Sequence, residues 1–199
     1  MTHSIFRTVM FVAMLAAANA ALVRGTAQST TGLNGADVKP VLVIQDYANG
    51  LADVRAGNPD VHLSISRDAT LPDERVLIVD YPPPIRDPAG RDVRCAAENQ
   101  DWSAGHAVAF QIKPDRSQRF SLSFQDRHHV AYTTWTELIG GMWQLVRIPF
   151  DGMRPNPYFQ PPGARTGAPI DVSQVMFVAF APQDQTGGRL AIGKIVVSQ

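Results

Sequence analysis

The chain has 199 residues, 45% of them hydrophobic, and its 18 basic and 18 acidic residues cancel to a formal net charge of zero. Nucleic acid and anionic membranes are disfavoured as partners, because a phosphate-tracking surface clusters its basic residues, whereas here they are scattered as single arginines. Cys95 is the only cysteine, which excludes an intramolecular disulfide. The 15 glycines and 15 prolines indicate a globular protein rich in turns.

The first 20 residues have the pattern of a secretory signal peptide. Arg7 supplies a positive start, Thr8 to Ala17 form an apolar run, and Ala18-Asn19-Ala20 is a small-x-small cleavage site. The run is too short to span a bilayer, which takes about 20 apolar residues. An amphipathic buried helix is the alternative, but Val9 to Ala18 contain no polar residues at helical spacing. We therefore expect an extracytoplasmic protein, periplasmic or secreted, with no membrane span.

The rest of the chain divides into a short leader and one domain. A second cleavage site at Gly25-Thr26-Ala27 would move the mature N-terminus from Ala21 to Gln28. We predict a signal peptide over 1–20, a flexible polar leader over 21–40 and a single binding domain over 41–199. About 160 residues suffice for one sizeable core and are too few for two ordinary domains.

The domain is predicted to be all-β, an antiparallel β-sandwich. Almost every apolar segment is short, β-branched or aromatic and bounded by turn residues, and no run of 12 residues has helical periodicity. We predict nine or ten strands, and the marked segments are 41–47, 61–66, 75–81, 107–113, 119–125, 130–136, 143–150, 174–181 and 189–197. Met153 to Pro169 hold five prolines and are predicted to be a long loop, either functional or without a role.

Strict alternation identifies the core face of the middle strands. Apolar residues share one face of two consecutive strands, Val108, Phe110 and Ile112 in the first and Phe120, Leu122 and Phe124 in the second. The alternate positions are Ala107, Ala109, Gln111, Ser121, Ser123 and Gln125. Val178 and Phe180 alternate with Ala179 and Ala181, and Phe177 is the exception on the small face. We expect these small residues to form either a ligand-binding face or an ordinary solvated one.

Catalytic and metal-binding motifs are missing. There is no Gly-x-Ser-x-Gly elbow, no histidine pair with zinc spacing and no glycine-rich phosphate loop. His128 and His129 are placed at a strand start, where neighbours face opposite sides. Asp101, Asp126 and Glu137 lie near aromatic residues and leave a carboxylate enzyme open as a minor alternative. We predict no enzyme activity, no cofactor and no bound metal.

Aromatic and neutral polar side chains are the candidates for binding. Trp102 and Trp143 are expected to pack in the sandwich, and Tyr158 and Phe159 either form a rim or cover the core. Tyr132 and Trp135 are three residues apart, so in a regular strand one of them faces outward. The predicted ligand-binding residues are Gln111, Gln125, Arg127, Tyr132, Trp135, Arg147 and Tyr158, which suit hydrogen bonding to hydroxyls and stacking on sugars.

The order of segments resembles the galactose-binding-like jelly rolls, in particular family 11 carbohydrate-binding modules and the complex I intermediate-associated protein domains. The resemblance covers about residues 41–197 and rests on Leu77 to Tyr81, Asp101-Trp102-Ser103, Ala109 to Asp115, Phe120 to Phe124, Trp143 to Phe150 and Ile170 to Val175. It implies a sheet face that binds extended β-glucans through tyrosines, and often a structural calcium between the first and last strands.

Two departures limit what the resemblance implies. Asp46-Tyr47 match the acidic-aromatic start, but Gly193-Lys194 stand where the family commonly has aspartates, and lysine offers calcium no oxygen ligand. The face also has alanine and serine in place of the family's full set of tyrosines. We predict a non-catalytic domain that recognises a polysaccharide or glycan on one sheet face. The alternative is an extracytoplasmic protein-interaction or assembly module that uses the same fold.

Overall fold

A computed structural model describes residues 28–30, 38–68, 70–71, 75–84 and 88–199. The described residues form thirteen β-strands and two short 3-10 turns, Pro88–Arg91 and Phe150–Gly152. No helix among them is long and apolar enough to cross a membrane. The predicted signal peptide lies outside the described residues. The two sheets are antiparallel, so the predicted all-β sandwich is confirmed.

The first sheet, sheet 1, has seven strands in the order β1-β10-β7-β13-β5-β4, with β2 also paired to β13. Its strands are β1 (Gln28–Thr30), β2 (Pro40–Gln45), β4 (His62–Arg67), β5 (Arg75–Tyr81), β7 (Ala107–Pro114), β10 (Gln144–Pro149) and β13 (Gly188–Ser198). The last strand of the chain is central, because it pairs with β2, β5 and β7. Sheet 1 is therefore completed only when the C-terminal segment has been placed.

The second sheet, sheet 2, has six strands in the order β11-β9-β8-β12-β6-β3. Its strands are β3 (Val54–Ala56), β6 (Val93–Gln100), β8 (Gln118–Asp126), β9 (Ala131–Leu138), β11 (Arg154–Pro155) and β12 (Val175–Pro182). Strand β12 lies between β8 and β6, with a register shift between Val175 and Phe177. The sheet therefore has its longest, best-paired strands at the centre.

The core between the sheets is rich in aromatic side chains. Phe110 of sheet 1 meets Phe180 of sheet 2 nearly edge to face at 5.4 Å between ring centroids, and Phe120 stacks on Phe180 at 6.0 Å. Trp102 is fully buried and contacts Phe124 at 5.4 Å in a T-shaped pair. Because each such ring buries a large apolar area, this cluster accounts for much of the stability of a domain that has no disulfide.

Three expectations about local structure need correction. Consecutive strands β7 and β8 belong to opposite sheets, so their small-residue faces lie on opposite sides of the molecule and do not form one surface. Strand β6, with buried Val93, Cys95 and Ala97, was missed because its apolar side chains are mostly small. His128 and His129 lie in the turn between β8 and β9, not at a strand start, and His129 has a φ of 58°.

Trp143 is buried, as expected, but not in the main core. It packs with Val76 and Ala191 in a separate small cluster. Residues Gln28–Thr30, predicted to belong to a flexible leader, form strand β1 and pair antiparallel with β10. The remainder of the leader up to residue 37 lies outside the described residues.

Candidate functional site

The outer face of sheet 2 carries a strip of small side chains. The strip consists of Ser121 and Ser123 on β8, Thr133 on β9, and Ala179 and Ala181 on β12, all of which alternate with core residues. Although they point away from the core, Thr133 is only 3% exposed, and Ser121 and Ala179 are 8% exposed. Larger side chains on either side must therefore rise above the strip, which lies recessed between them.

Hydrogen bonds hold the polar groups of the strip in place. The Ser123 and Thr133 hydroxyl oxygens lie 2.9 Å apart, and Gln183 donates from Nε2 to Ser121 Oγ at 2.9 Å. Ser121 Oγ also donates to the Ala181 carbonyl at 3.3 Å. A side-chain network of this kind fixes the hydroxyl positions, so the strip presents ordered groups that can both donate and accept hydrogen bonds.

Trp135 borders the strip on β9. It lies opposite Ser121 in the register and is partly exposed. The Tyr158 ring meets it nearly perpendicularly at 6.4 Å between centroids, and the Arg119 guanidinium lies over it at 5.5 Å. Tyr158 itself is 87% exposed. This pair is an amphipathic aromatic surface, because each ring has an apolar body and a polar tip that remains able to form hydrogen bonds.

A second aromatic side chain lies at the other end of the strip. Phe177 on β12 is partly exposed and has the Arg94 guanidinium over its ring at 5.3 Å. From the register, Trp135 and Phe177 are two strands and four residues apart, which is about 16 Å at a strand spacing of ~4.8 Å and a rise of ~3.3 Å. This separation is longer than a single sugar ring.

Structural comparison identifies the fold. A family 11 carbohydrate-binding module from Clostridium thermocellum, solved in complex with a β-1,3-1,4-mixed-linked tetrasaccharide, matches with a TM-score of 0.62 and 18% sequence identity over 79% of this chain and 94% of that chain. The chain has the fold of a carbohydrate-binding module. The jelly-roll resemblance inferred from the segment order is thereby confirmed.

Two further solved structures are similar to this chain. The family 30 module of a cellulosomal cellulase of Clostridium thermocellum matches with a TM-score of 0.50 and 16% identity, covering 80% of this chain and 94% of that one. An exo-β-agarase matches with a TM-score of 0.56 and 13% identity over 79% of this chain and 25% of the agarase. No protein-family model matches the sequence, and no curated protein does.

Four of the seven predicted ligand-binding residues lie on or near the outer face of sheet 2. Gln125 on β8 pairs with Phe177 on β12, and its side chain donates to the His129 carbonyl at 3.3 Å. Trp135 and Tyr158 contact each other, as described above. Arg127 lies in the turn after β8, where its Nε is 2.7 Å from Asp171 Oδ2; the structure does not bring it into contact with the aromatic pair.

The other three predicted residues are elsewhere, and these placements are corrections. Tyr132 is 1% exposed and packs in the core, where its hydroxyl donates to the Ala168 carbonyl at 3.1 Å and burial raises its pKa to about 12. Gln111 and Arg147 are on sheet 1, because β7 and β10 belong to that sheet. Gln111 Oε1 is buried there and has no hydrogen-bond partner among the described residues, and Arg147 donates to the Gln199 carbonyl at 2.9 Å.

The carboxylates considered for catalysis have other roles. Asp126 is 1% exposed and accepts hydrogen bonds from the backbone N–H groups of His128 and Val130, which closes the turn between β8 and β9. Asp101 accepts from the hydroxyl and N–H of Ser103, which lowers its pKa. Glu137 is an exposed side chain at the sheet edge. Asp101 and Asp126 therefore stabilise turns, and Glu137 faces solvent.

The positions that the resemblance matches to a calcium site are Asp46-Tyr47, directly after β2, and Gly193-Lys194 in β13. Asp46 Oδ1 accepts from the Ala48 N–H at 2.9 Å, the Tyr47 hydroxyl donates to the Gly193 carbonyl at 3.3 Å, and Lys194 is exposed. No group of three or more His, Cys, Asp or Glu side chains that could hold a metal exists in the part of the chain that the structure describes. Calcium takes six to eight oxygen ligands, whereas Asp46 Oδ1 is used in a turn and the Lys194 side chain offers no oxygen.

Arg119 and Arg94 are the functional candidates that sequence reasoning missed. Both contact a partly exposed aromatic ring. Arg94 and Phe177 lie on strands far apart in the chain, so no spacing in the sequence reveals their contact. Phe177 did carry a signal, because it breaks the alternation of its strand by placing a large ring among alanines.

Proposed function

We propose that the protein is a non-catalytic domain that binds a polysaccharide or glycan on the outer face of sheet 2. The observation that carries the proposal is the pair formed by partly exposed Trp135 and exposed Tyr158 beside a recessed strip of ordered hydroxyl groups. Aromatic rings pack against the apolar faces of sugars, and side-chain hydroxyl and amide groups exchange hydrogen bonds with sugar hydroxyls. The shared fold of carbohydrate-binding modules supports the same role.

In this proposal a chain-like glycan lies along the strip from Trp135 toward Phe177. Trp135 and Tyr158 supply the principal apolar contact, and Gln125 and Ser123 supply neutral hydrogen bonds. Trp135, Gln125 and Ser123 are positioned by β-strands, so little ordering of these side chains is required when ligand binds, which favours affinity. Tyr158 lies on the proline-rich loop after β11. Arg127 directly follows β8, close to the end of the strip where Gln125 and Phe177 lie, and is proposed as a peripheral contact.

The test compares two substitutions on the same strand. Trp135→Ala removes a partly exposed ring, and Tyr132→Phe removes only a hydroxyl from the core side. We expect a polysaccharide array and affinity gel electrophoresis to show binding by the wild type and by Tyr132→Phe, and strongly weakened binding by Trp135→Ala. Equal binding by all three proteins would contradict the proposed site.

A protein-interaction or assembly module is the second candidate. Tyr158 and Phe159 favour it, since they are 87% and 62% exposed on a proline-rich loop and exposed aromatics are enriched at protein interfaces. Absence of binding to every glycan on the array would favour this candidate over the first.

We also propose that the protein acts outside the cytoplasm, as its N-terminal sequence indicates. Cleavage at either small-x-small site leaves β1 in the mature chain, because β1 starts at Gln28. Mass spectrometry of the exported protein should find Ala21 or Gln28 at the N-terminus. An intact Met1 in the extracytoplasmic fraction would contradict export by cleavage.

A further inference from the structure

Among the side chains that the structure describes, arginine is the main charged residue on the outer face of sheet 2. Its strands place Arg55, Arg94, Arg119 and Arg154 at exposed positions that alternate with inward-facing ones. The carboxylates described beside them are Asp92, at 2.6 Å from Arg94, and the more distant Glu137. Arginines that are scattered in the sequence are thus gathered on one face by the pairing of the strands.

Two of these arginines are in an unfavourable arrangement. Arg55 and Arg94 are direct cross-strand partners on β3 and β6, and like charges directly opposite each other destabilise a sheet. Asp92 pairs with Arg94, whereas no ion pair or hydrogen bond is found for the Arg55 side chain within the described parts of the chain. An anion bound at this edge would relieve the repulsion.

Arg119 is oriented, and its guanidinium makes no hydrogen bond to any residue in the described ranges of the chain. Its guanidinium lies 5.5 Å from the centre of the Trp135 ring, and its Nε is 3.9 Å from Glu137 Oε1, beyond hydrogen-bond distance. Both side chains of this ion pair are more than half exposed, so the pair itself contributes little stability. Cation–π contact restrains the guanidinium, while its N–H groups remain available to a ligand.

This donor set suits an acidic ligand better than a neutral one. Guanidinium groups only donate hydrogen bonds, whereas sugar hydroxyls require both donors and acceptors. Carboxylate and sulfate oxygens only accept, and a planar guanidinium binds such groups through two parallel hydrogen bonds. Placed next to Trp135, Arg119 can bind an acidic substituent of the same sugar that packs against the ring.

We propose that the outer face of sheet 2 selects an anionic polysaccharide, one whose sugars carry carboxylate or sulfate groups, and that Arg119 recognises the acidic group. The inference rests on the proposed glycan-binding function and adds the chemical class of the ligand. Arg94 and Arg55 provide a second subsite for an acidic group beside Phe177. Arg154 provides positive charge at the opposite edge of the sheet.

Pairs of polysaccharides that differ mainly in charge provide the test. Affinity gel electrophoresis compares polygalacturonate with its fully methyl-esterified form, and ι-carrageenan with agarose, so the two arms separate carboxylate from sulfate recognition. We expect retardation by at least one charged polymer, tenfold or more tighter binding than to its neutral counterpart, and loss of this preference in 1 M NaCl, because salt screens exposed charges.

Matched arginine variants locate the effect. Arg119→Gln should weaken binding to the charged polymer roughly tenfold to hundredfold, the loss expected for charge-assisted hydrogen bonds, and Arg119→Lys should restore binding only in part. Arg189→Gln is the control, because it changes the net charge equally but removes an exposed arginine paired with Asp80 on sheet 1. It should bind as the wild type does.

The outcomes separate the two proposals. Equal or tighter binding to the neutral polymers would overturn the anionic class while the glycan-binding function stands. Equal losses in Arg119→Gln and Arg189→Gln would overturn the assignment to this face. Failure to bind any charged or neutral polysaccharide would contradict the proposed function and, with it, this inference.

Discussion

Arg91 makes the clearest stability prediction, because it is a buried charge with many partners. It is 2% exposed, and its Nη1 lies 3.2 Å from both Asp184 Oδ1 and the Thr186 carbonyl. Its Nη2 donates to the carbonyls of Asp184 and Pro182 at 2.5 and 3.3 Å, and its guanidinium lies over the Tyr81 ring at 5.6 Å. Arg91 thus ties the 3-10 turn before β6 to the loop between β12 and β13.

Replacing Arg91 with Met should cost about 3–5 kcal/mol of unfolding free energy, because removing one partner of a buried pair leaves the other groups unsatisfied. For a domain of this size that corresponds to a fall in Tm of roughly 6–20 °C. Asp184→Asn keeps the three carbonyl acceptors and should lose only about 1 kcal/mol. Urea unfolding monitored by tryptophan fluorescence measures both. If Arg91→Met loses less than about 1 kcal/mol, or no more than Asp184→Asn, the loop is not held by this arginine.

Three further predictions concern the core, metal and pH. Phe124→Ala should cost about 3–5 kcal/mol of unfolding free energy, because the ring is fully buried against Trp102. Trp135→Ala should change the unfolding free energy by less than about 1 kcal/mol and weaken glycan binding by about 1–3 kcal/mol. Urea unfolding and titration calorimetry measure the two effects, and a larger loss of stability in Trp135→Ala than in Phe124→Ala would contradict the prediction. A chelator should leave Tm unchanged in differential scanning calorimetry, and a drop of several degrees would indicate a native-state metal site. Hydrogen bonds from Thr70 and the nearby Lys113 ammonium lower the pKa of Asp68 to about 2, so its stabilising effect should be present above about pH 4 and be lost as the pH falls toward 2; urea midpoints should show a flatter acid dependence in Asp68→Asn.

The alternation in the sequence predicted strand positions and core faces where side chains are large. Phe120, Leu122 and Phe124 all face the core as expected, because the side-chain period of a strand is two. The same rule placed Tyr132 and Trp135 on opposite faces, although it did not say which of them faces outward. The sequence did not predict strand β6, because small apolar residues give a weak alternation. Its backbone pairing with β12 and β3 makes it a strand.

By itself, the sequence determined the all-β class, the strand character of most segments and the absence of recognisable catalytic motifs, since these depend on local residue types and spacing. Only the tertiary structure decided which sheet each strand joins. That choice separated Gln111 and Arg147 from Gln125 and Trp135, and brought Arg119 to the ring of Trp135. The physical reason is that alternation specifies which side of a strand is buried, while the hydrogen-bonding partner of its backbone depends on packing across the whole chain.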